Sequence, residues 1–158
     1  MSIACLLLGT NIGDRLDQLE RARNTLNEAG TILKASAVYQ TQPWGMEKQP
    51  EFYNQAVLLE TTLSPEQLLT FLKASELRLG RVPGEPWGPR LIDMDILFMD
   101  NLTIQSDEMT IPHPRVRERR FALVPLNEIA SDWIDPVSGL TVARLMEACT
   151  DPLEVSRL

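Results

Sequence analysis

The chain has 158 residues, 44% of them hydrophobic and 23% charged, which fits one globular domain with a real core. Its net charge of −7 excludes nonspecific binding to nucleic acid or to anionic membranes, since both need a basic surface. No apolar run reaches the roughly 18–20 residues of a membrane span, and no basic segment precedes the opening apolar stretch. A cytoplasmic protein is expected, with Cys5 and Cys149 as buried free thiols, because their spacing suits no metal site.

Ser2 to Leu8 reads as a short buried strand. The turn Gly9-Thr-Asn-Ile-Gly13-Asp14 follows, with Thr10 or Asn11 expected to cap the next helix. It is neither a P-loop nor a G-x-G-x-x-G fingerprint. Leu16, Leu19, Ala22 and Leu26 mark one face of that helix, which should end at Gly30. Leu33, Ala35, Ala37 and Tyr39 alternate with polar residues, as in a half-buried strand. Gln42 to Glu51 is a loop, with Trp44 exposed on it. Phe52 to Thr62 is strand again, with Phe52, Asn54, Ala56 and Leu58 on one face. A ring and an amide on one face suit a planar ligand. They equally describe a core aromatic beside a turn-satisfying amide, the commoner case. Ser64-Pro-Glu-Gln67 opens a second helix as a capping box, and the helix runs to Gly80. Arg81 to Pro89 is an irregular loop.

The most informative stretch is Trp87-Gly-Pro-Arg90-Leu-Ile-Asp93-Met-Asp95-Ile-Leu-Phe-Met99. Side chains alternate along a strand, so Asp93 and Asp95 share a face, about 7 Å apart. Leu97 and Met99 should continue that face, with Ile92, Met94, Ile96 and Phe98 on the other. Two carboxylates beside apolar neighbours repel each other unless a cation sits between them, and Mg²⁺ suits such a pair. Solvation at an exposed strand end is the alternative for a bare D-x-D. Arg90, a guanidinium fork for phosphate just upstream, favours a nucleotide–metal site.

A turn at Asp100-Asn101 leads to a short strand near Thr103-Ile104. Ile111 to Phe121 then holds the only histidine, His113, and four arginines: Arg115, Arg117, Arg119 and Arg120. As a helix from Arg115, this segment would bring Arg115 and Arg119 onto one face. Such a cluster in an acidic chain suits a polyanionic small ligand, although a solvated charged helix fits the pattern too. Asp132 to Gly139 is a turn-rich link, and Thr141 to Ala148 a last short helix. The order β-α-β, loop, β-α-β predicts an α+β fold. The expected form is a ferredoxin-like βαββαβ sandwich with a mainly antiparallel sheet, helices on one face and a small C-terminal extension, in one domain spanning 1–158.

With these residues in place, the chain resembles the 6-hydroxymethyl-7,8-dihydropterin pyrophosphokinases of folate biosynthesis. The likeness rests on Gly9-Thr10-Asn11, Phe52-x-Asn54, Gly80-Arg81, Trp87-Gly-Pro-Arg90-x-x-Asp93-x-Asp95, Pro112-His113 and Arg119-x-Phe121, in that order. It implies transfer of pyrophosphate from ATP to the hydroxymethyl group of the pterin, with release of AMP. By this resemblance Asp93 and Asp95 hold two Mg²⁺ ions, and Arg81, Arg90, His113 and Arg119 contact phosphates. Phe52 and Phe121 sandwich the pterin, while Asn54 and Thr41, Gln42, Pro43 and Trp44 read its edge. Trp87 belongs to a closing loop, and Glu76, Ile96 and Thr110 lie on the ATP side. Partners are then small molecules, with no nucleic acid and no membrane, and a monomer is expected. The chain departs from the family in its short Val82-Pro-Gly-Glu-Pro86 loop without a second arginine, in Gln42 for proline, and in Glu108 for a basic residue. Two rivals remain at this point: another Mg²⁺-dependent nucleotidyl or phosphoryl transferase, and a noncatalytic ligand-binding module of the same fold.

Overall fold

The computed structural model describes residues 1–41, 50–80 and 91–158. Strand β1 (Ser2–Thr10) leads into helix α1 (Arg15–Leu26), followed by strands β2 (Thr31–Ala35), β3 (Tyr39–Thr41) and β4 (Phe52–Thr61). Helix α2 (Pro65–Arg78), strand β5 (Asp93–Met99) and the short strands β6 (Ile104–Gln105) and β7 (Thr110–Ile111) come next. A 3₁₀ turn (Val116–Glu118), helices α3 (Arg120–Ala130) and α4 (Val142–Ala148), and strand β8 (Val155–Arg157) complete the chain.

The main sheet runs β5-β1-β4-β3-β8, with β2 also paired to β4, and every pairing in it is antiparallel. β2 and β3 are two pieces of one strand lying along β4, so the order is that of the expected ferredoxin-like sandwich with β8 added outside. Alternation along β1 explains why the sheet is central. Ala4, Leu6 and Leu8 face Leu19, Ala22 and Leu26 of α1 and Leu68 and Leu72 of α2. Cys5 and Leu7 face Ala122, Leu123 and Leu126 of α3 and Val142 and Leu145 of α4. Both cysteines are buried free thiols.

Helices therefore cover both faces, not one. The Arg-rich approach and internal Pro125 hid α3, whose apolar stripe of Ala122, Leu123 and Leu126 is nevertheless fully buried. Other expectations also change. Asp14 caps α1 in place of Thr10 or Asn11, accepting the Asp17 N–H at 3.1 Å. Leu16 and Leu33 are exposed, at 51% and 44%. Leu16 comes in the first turn of α1, before the buried stripe begins, and a register shift between Ile32 and Lys34 turns Leu33 outward. The capping box of α2 forms as read, between Ser64 and Gln67.

In β5 the pairing with β1 slips: Ile96 lies opposite Leu6, but Phe98 lies opposite Cys5. Leu97 is the extra residue of a bulge. Phe98 consequently joins Leu97 on the α3 side, and Met99 joins Met94 and Ile96 on the α1/α2 side. Strict alternation had assigned both the other way.

Candidate active site

The bulge lies beyond the carboxylates and leaves their geometry intact. Asp93 pairs with Gly9 and Asp95 with Leu7, so both side chains lie on the α3 side of the sheet. Gly9 is in turn opposite Asn54, and Asn54 opposite Tyr39. The row Asp93–Gly9–Asn54–Tyr39 thus crosses four strands. A Cβ on Gly9 would come within 2.5 Å of Asn54 Oδ1, so the missing side chain makes room for the Asn54 amide. Asn54 is 4% exposed. Phe52, half-buried at the start of β4, shares its face and pairs with Thr41, the last residue of β3. Just before β4, Asn11 and Arg15 donate to the Pro50 and Glu51 carbonyls at 3.1 and 2.7 Å.

Asp95 carries the clearest electrostatic signature. Burial, then the charge of Asp93, pushes its carboxyl up to about 6; Glu76 adds to the rise, while Lys73 and Arg119 oppose it. A mutually repelling carboxylate pair of this kind fits a divalent cation, which removes both the repulsion and the desolvation penalty. Among the described residues no group of three His, Cys, Asp or Glu could enclose a metal. The pair of carboxylates suits Mg²⁺, which takes one or two such groups and completes its shell with water and phosphate.

Beside Asp95 a cleft of about 270 Å³ runs along the open side of β5. Leu69 and Lys73 of α2 form one wall, and Ser106 to Ile111 with His113 the other; Ile96 and Thr110 line it as expected. Glu108 also lines the cleft, so the acidic departure noted in the sequence sits on its wall. Lys73 is a functional candidate that the sequence reading missed. Only its i, i+3 spacing to Glu76 signalled it, and the two form an ion pair at 3.5 Å. Glu76 itself is buried, and its Oε2 accepts the Met94 N–H at 2.7 Å, fastening β5 to α2.

The bulge has a use here, because the Leu97 carbonyl accepts the His113 N–H at 2.9 Å. The imidazole is then held by its Nδ1, which accepts the Arg115 N–H at 3.1 Å. Burial, with the charges of Arg119 and Arg115, pushes His113 down to about 4. The ring is neutral at pH 7, its proton is on Nε2, and that N–H is a donor. Arg119 sits at the N-cap of α3, 5.4 Å from the Phe121 ring centroid. Its Nε is buried without a hydrogen-bond partner among the described residues. A buried orphan donor on a guanidinium is what an incoming phosphate oxygen would satisfy.

The structure thus brings Asp93, Asp95, Ile96, Thr110, His113 and Arg119 to one end of the sheet, with Thr41, Phe52, Asn54 and Phe121 on β3, β4 and α3. Gln42, Pro43, Trp44, Arg81, Trp87 and Arg90, and with them the short Val82 to Pro86 loop, lie outside the described residues. No helix among the described residues is long and apolar enough to cross a membrane.

Comparison with known proteins supplies independent evidence. Residues 5–131 match the family described as 7,8-dihydro-6-hydroxymethylpterin-pyrophosphokinase. A 2-amino-4-hydroxy-6-hydroxymethyldihydropteridine pyrophosphokinase of Methylorubrum extorquens is 41% identical over 160 residues, covering 100% of this chain and 99% of the relative. The folic acid synthesis protein fol1 of Pneumocystis carinii is 42% identical over 145 residues, 91% of this chain but 20% of that protein. The chain thus spans about a fifth of this fungal relative. A crystal structure of Plasmodium falciparum HPPK-DHPS superposes with a TM-score of 0.76 at 17% identity, over 93% of this chain and 45% of that one. That last likeness is one of fold.

Proposed function

Because the chain belongs to the 7,8-dihydro-6-hydroxymethylpterin-pyrophosphokinase family, we propose that it transfers pyrophosphate from ATP to 6-hydroxymethyl-7,8-dihydropterin and releases AMP. The observation that carries this reading is the pairing of Asp93 with Asp95 on one face, with Arg119 and His113 beside them at the mouth of one cleft. The ATP chain lies along that cleft, its adenosine against Ile96, Thr110 and Leu69, with Lys73 drawing in negative charge. Glu76 borders this side through Lys73 and through the backbone of Met94.

The products define the step. AMP and a pyrophosphate ester arise when the pterin hydroxyl oxygen bonds to the β-phosphorus and the bond from that phosphorus to the α,β-bridging oxygen breaks. The hydroxyl proton passes to solvent. Asp93 and Asp95 would hold Mg²⁺, two ions by family resemblance, which would supply neutralisation of the phosphate charge. Arg119 meets the phosphates through its orphan Nε–H, and His113 donates from Nε2. A neutral donor of this kind orients a phosphate; it does not remove the acceptor proton. Phe52 and Phe121 stack the flat pterin, and the buried Asn54 amide reads its edge. By family resemblance Arg81 and Arg90 contact the phosphates, and Trp87 the nucleotide. Positioning and electrostatics carry such transfers, so no dedicated base is required.

The test is product analysis from Mg-ATP with and without the pterin. AMP that appears only with the pterin supports the reading. ADP would instead identify an ordinary kinase using the same carboxylates. Binding of both ligands without turnover would leave a noncatalytic module. Either of the last two results overturns the proposal.

A further inference from the structure

α3 begins without a local cap, because its N-cap residue is Arg119, which offers no side-chain acceptor. The first helical N–H, that of Arg120, is satisfied instead by Asp151 Oδ2 at 3.1 Å, from 31 residues further along. The other oxygen of this carboxylate accepts the Leu153 N–H at 3.0 Å, and Asp151 is 6% exposed. Arg120 grips back: its Nε donates to the Asp151 carbonyl at 3.1 Å and its Nη2 to the Cys149 carbonyl at 2.9 Å. A few residues on, Thr41 Oγ1 donates to the Glu154 carbonyl at 3.0 Å, and Thr41 pairs with Val155 as β8 joins β3. Residues 149–155 therefore hold two things at once: the Arg119-Arg120-Phe121 corner and the end of β3 at Thr41.

We infer that Asp151 and Arg120 are positioning residues for the acceptor pocket, fixing the Phe121 corner of α3 against the strands that carry Thr41, Phe52 and Asn54. The inference rests on the reading of Phe121 as a pterin-stacking ring. The physical argument is local. A carboxylate at a helix N-terminus both fills an orphan N–H and complements the positive end of the helix dipole. Here that carboxylate comes from a segment that also pairs with β3, so the helix start and the strand end cannot shift independently. The Asp151 half of the clasp lies past residue 131, where the family match ends, and nothing in the site itself announces it.

The discriminating variant is Asp151→Asn, which keeps the volume but leaves an amide N–H₂ facing one of the two backbone donors. The Michaelis constant for the pterin is expected to rise about fivefold, the scale of a lost helix cap, while that for ATP stays unchanged. If Asp151 acts through Phe121, adding Asp151→Asn to Phe121→Ala makes pterin binding no weaker than Phe121→Ala alone. A lowered Tm with an unchanged pterin constant overturns the inference, and so do effects that multiply in the double variant. Should Asp151→Asn not fold, Arg120→Met removes the two carbonyl tethers, leaves the cap, and carries the same comparison. Wild-type protein that releases no AMP overturns the functional reading and this inference together. A wild-type rate with pterin-neutral variants overturns the inference alone.

Discussion

Replacing Asp95 by Asn separates the chemistry from the stability of the fold. Burial, and then the neighbouring Asp93, raises the Asp95 carboxyl from 3.8 to about 6 against the partial attraction of Lys73 and Arg119. Between these two values the native protein holds more protons here than the unfolded chain does. The contribution of this group is therefore full below about pH 4 and lost as pH rises through about 6. The rise corresponds to at most about 3 kcal/mol at neutral pH, and since Asp95 keeps part of its surface in solvent, about 1–2 kcal/mol is expected. Asn cannot ionise and escapes that loss. In EDTA at pH 7, Asp95→Asn should melt about 5 °C above wild type, and the gap should close near pH 4. Turnover should meanwhile collapse. The assay is thermal unfolding of both proteins across that pH range, paired with AMP release. A variant no more stable than wild type at pH 7 without divalent cations would refute the account of mutual repulsion and desolvation.

Gly9→Ala places a methyl group 2.5 Å from Asn54 Oδ1, so the amide must swing away. A stability loss of about 1–2 kcal/mol and weaker pterin binding are expected. Denaturant melts and a binding titration check this, and wild-type affinity in the variant would remove Asn54 from the acceptor site. His113 is the only histidine, so its NMR titration is unambiguous. Its midpoint should fall at about 4. The unfolded chain then binds more protons between about 4 and 6.5, so stability from this residue is full above that window and lost as pH falls through it. A midpoint near 6.5 would mean that the ring is solvated and not held between Leu97 and the two arginines.

Much of the fold was legible because its strongest signals are local. The capping box of α2 and the alternation at Phe52 to Leu58 need only neighbouring residues, and so does the shared face of Asp93 and Asp95. Errors arose where a distant partner decides. Nothing within β5 indicates that Leu97 is surplus, because the slip is defined by where β1 stops matching it. Asp14 rather than Thr10 caps α1 because the turn extends further before the backbone becomes helical. α3 escaped because its start is capped from Asp151 and its middle holds Pro125, each contrary to local helix rules. Lys73 had only its i, i+3 spacing to Glu76 as a local signal, since its relevance comes from α2 facing the open side of β5.

β5 is the last strand on its side of the sheet among the described residues. An edge strand is a template for another chain, and proteins blunt such edges with bulges or covering groups. Here both devices are made from the site itself: Glu76 occupies the Met94 N–H, and the bulged Leu97 offers its carbonyl to His113. The residues that shape the cleft thus also shield the edge from edge-to-edge aggregation. Damage to Glu76 or to the His113 segment would expose a bare strand edge as well as disturb the proposed ATP cleft, so poor solubility and weakened turnover are expected together in such variants.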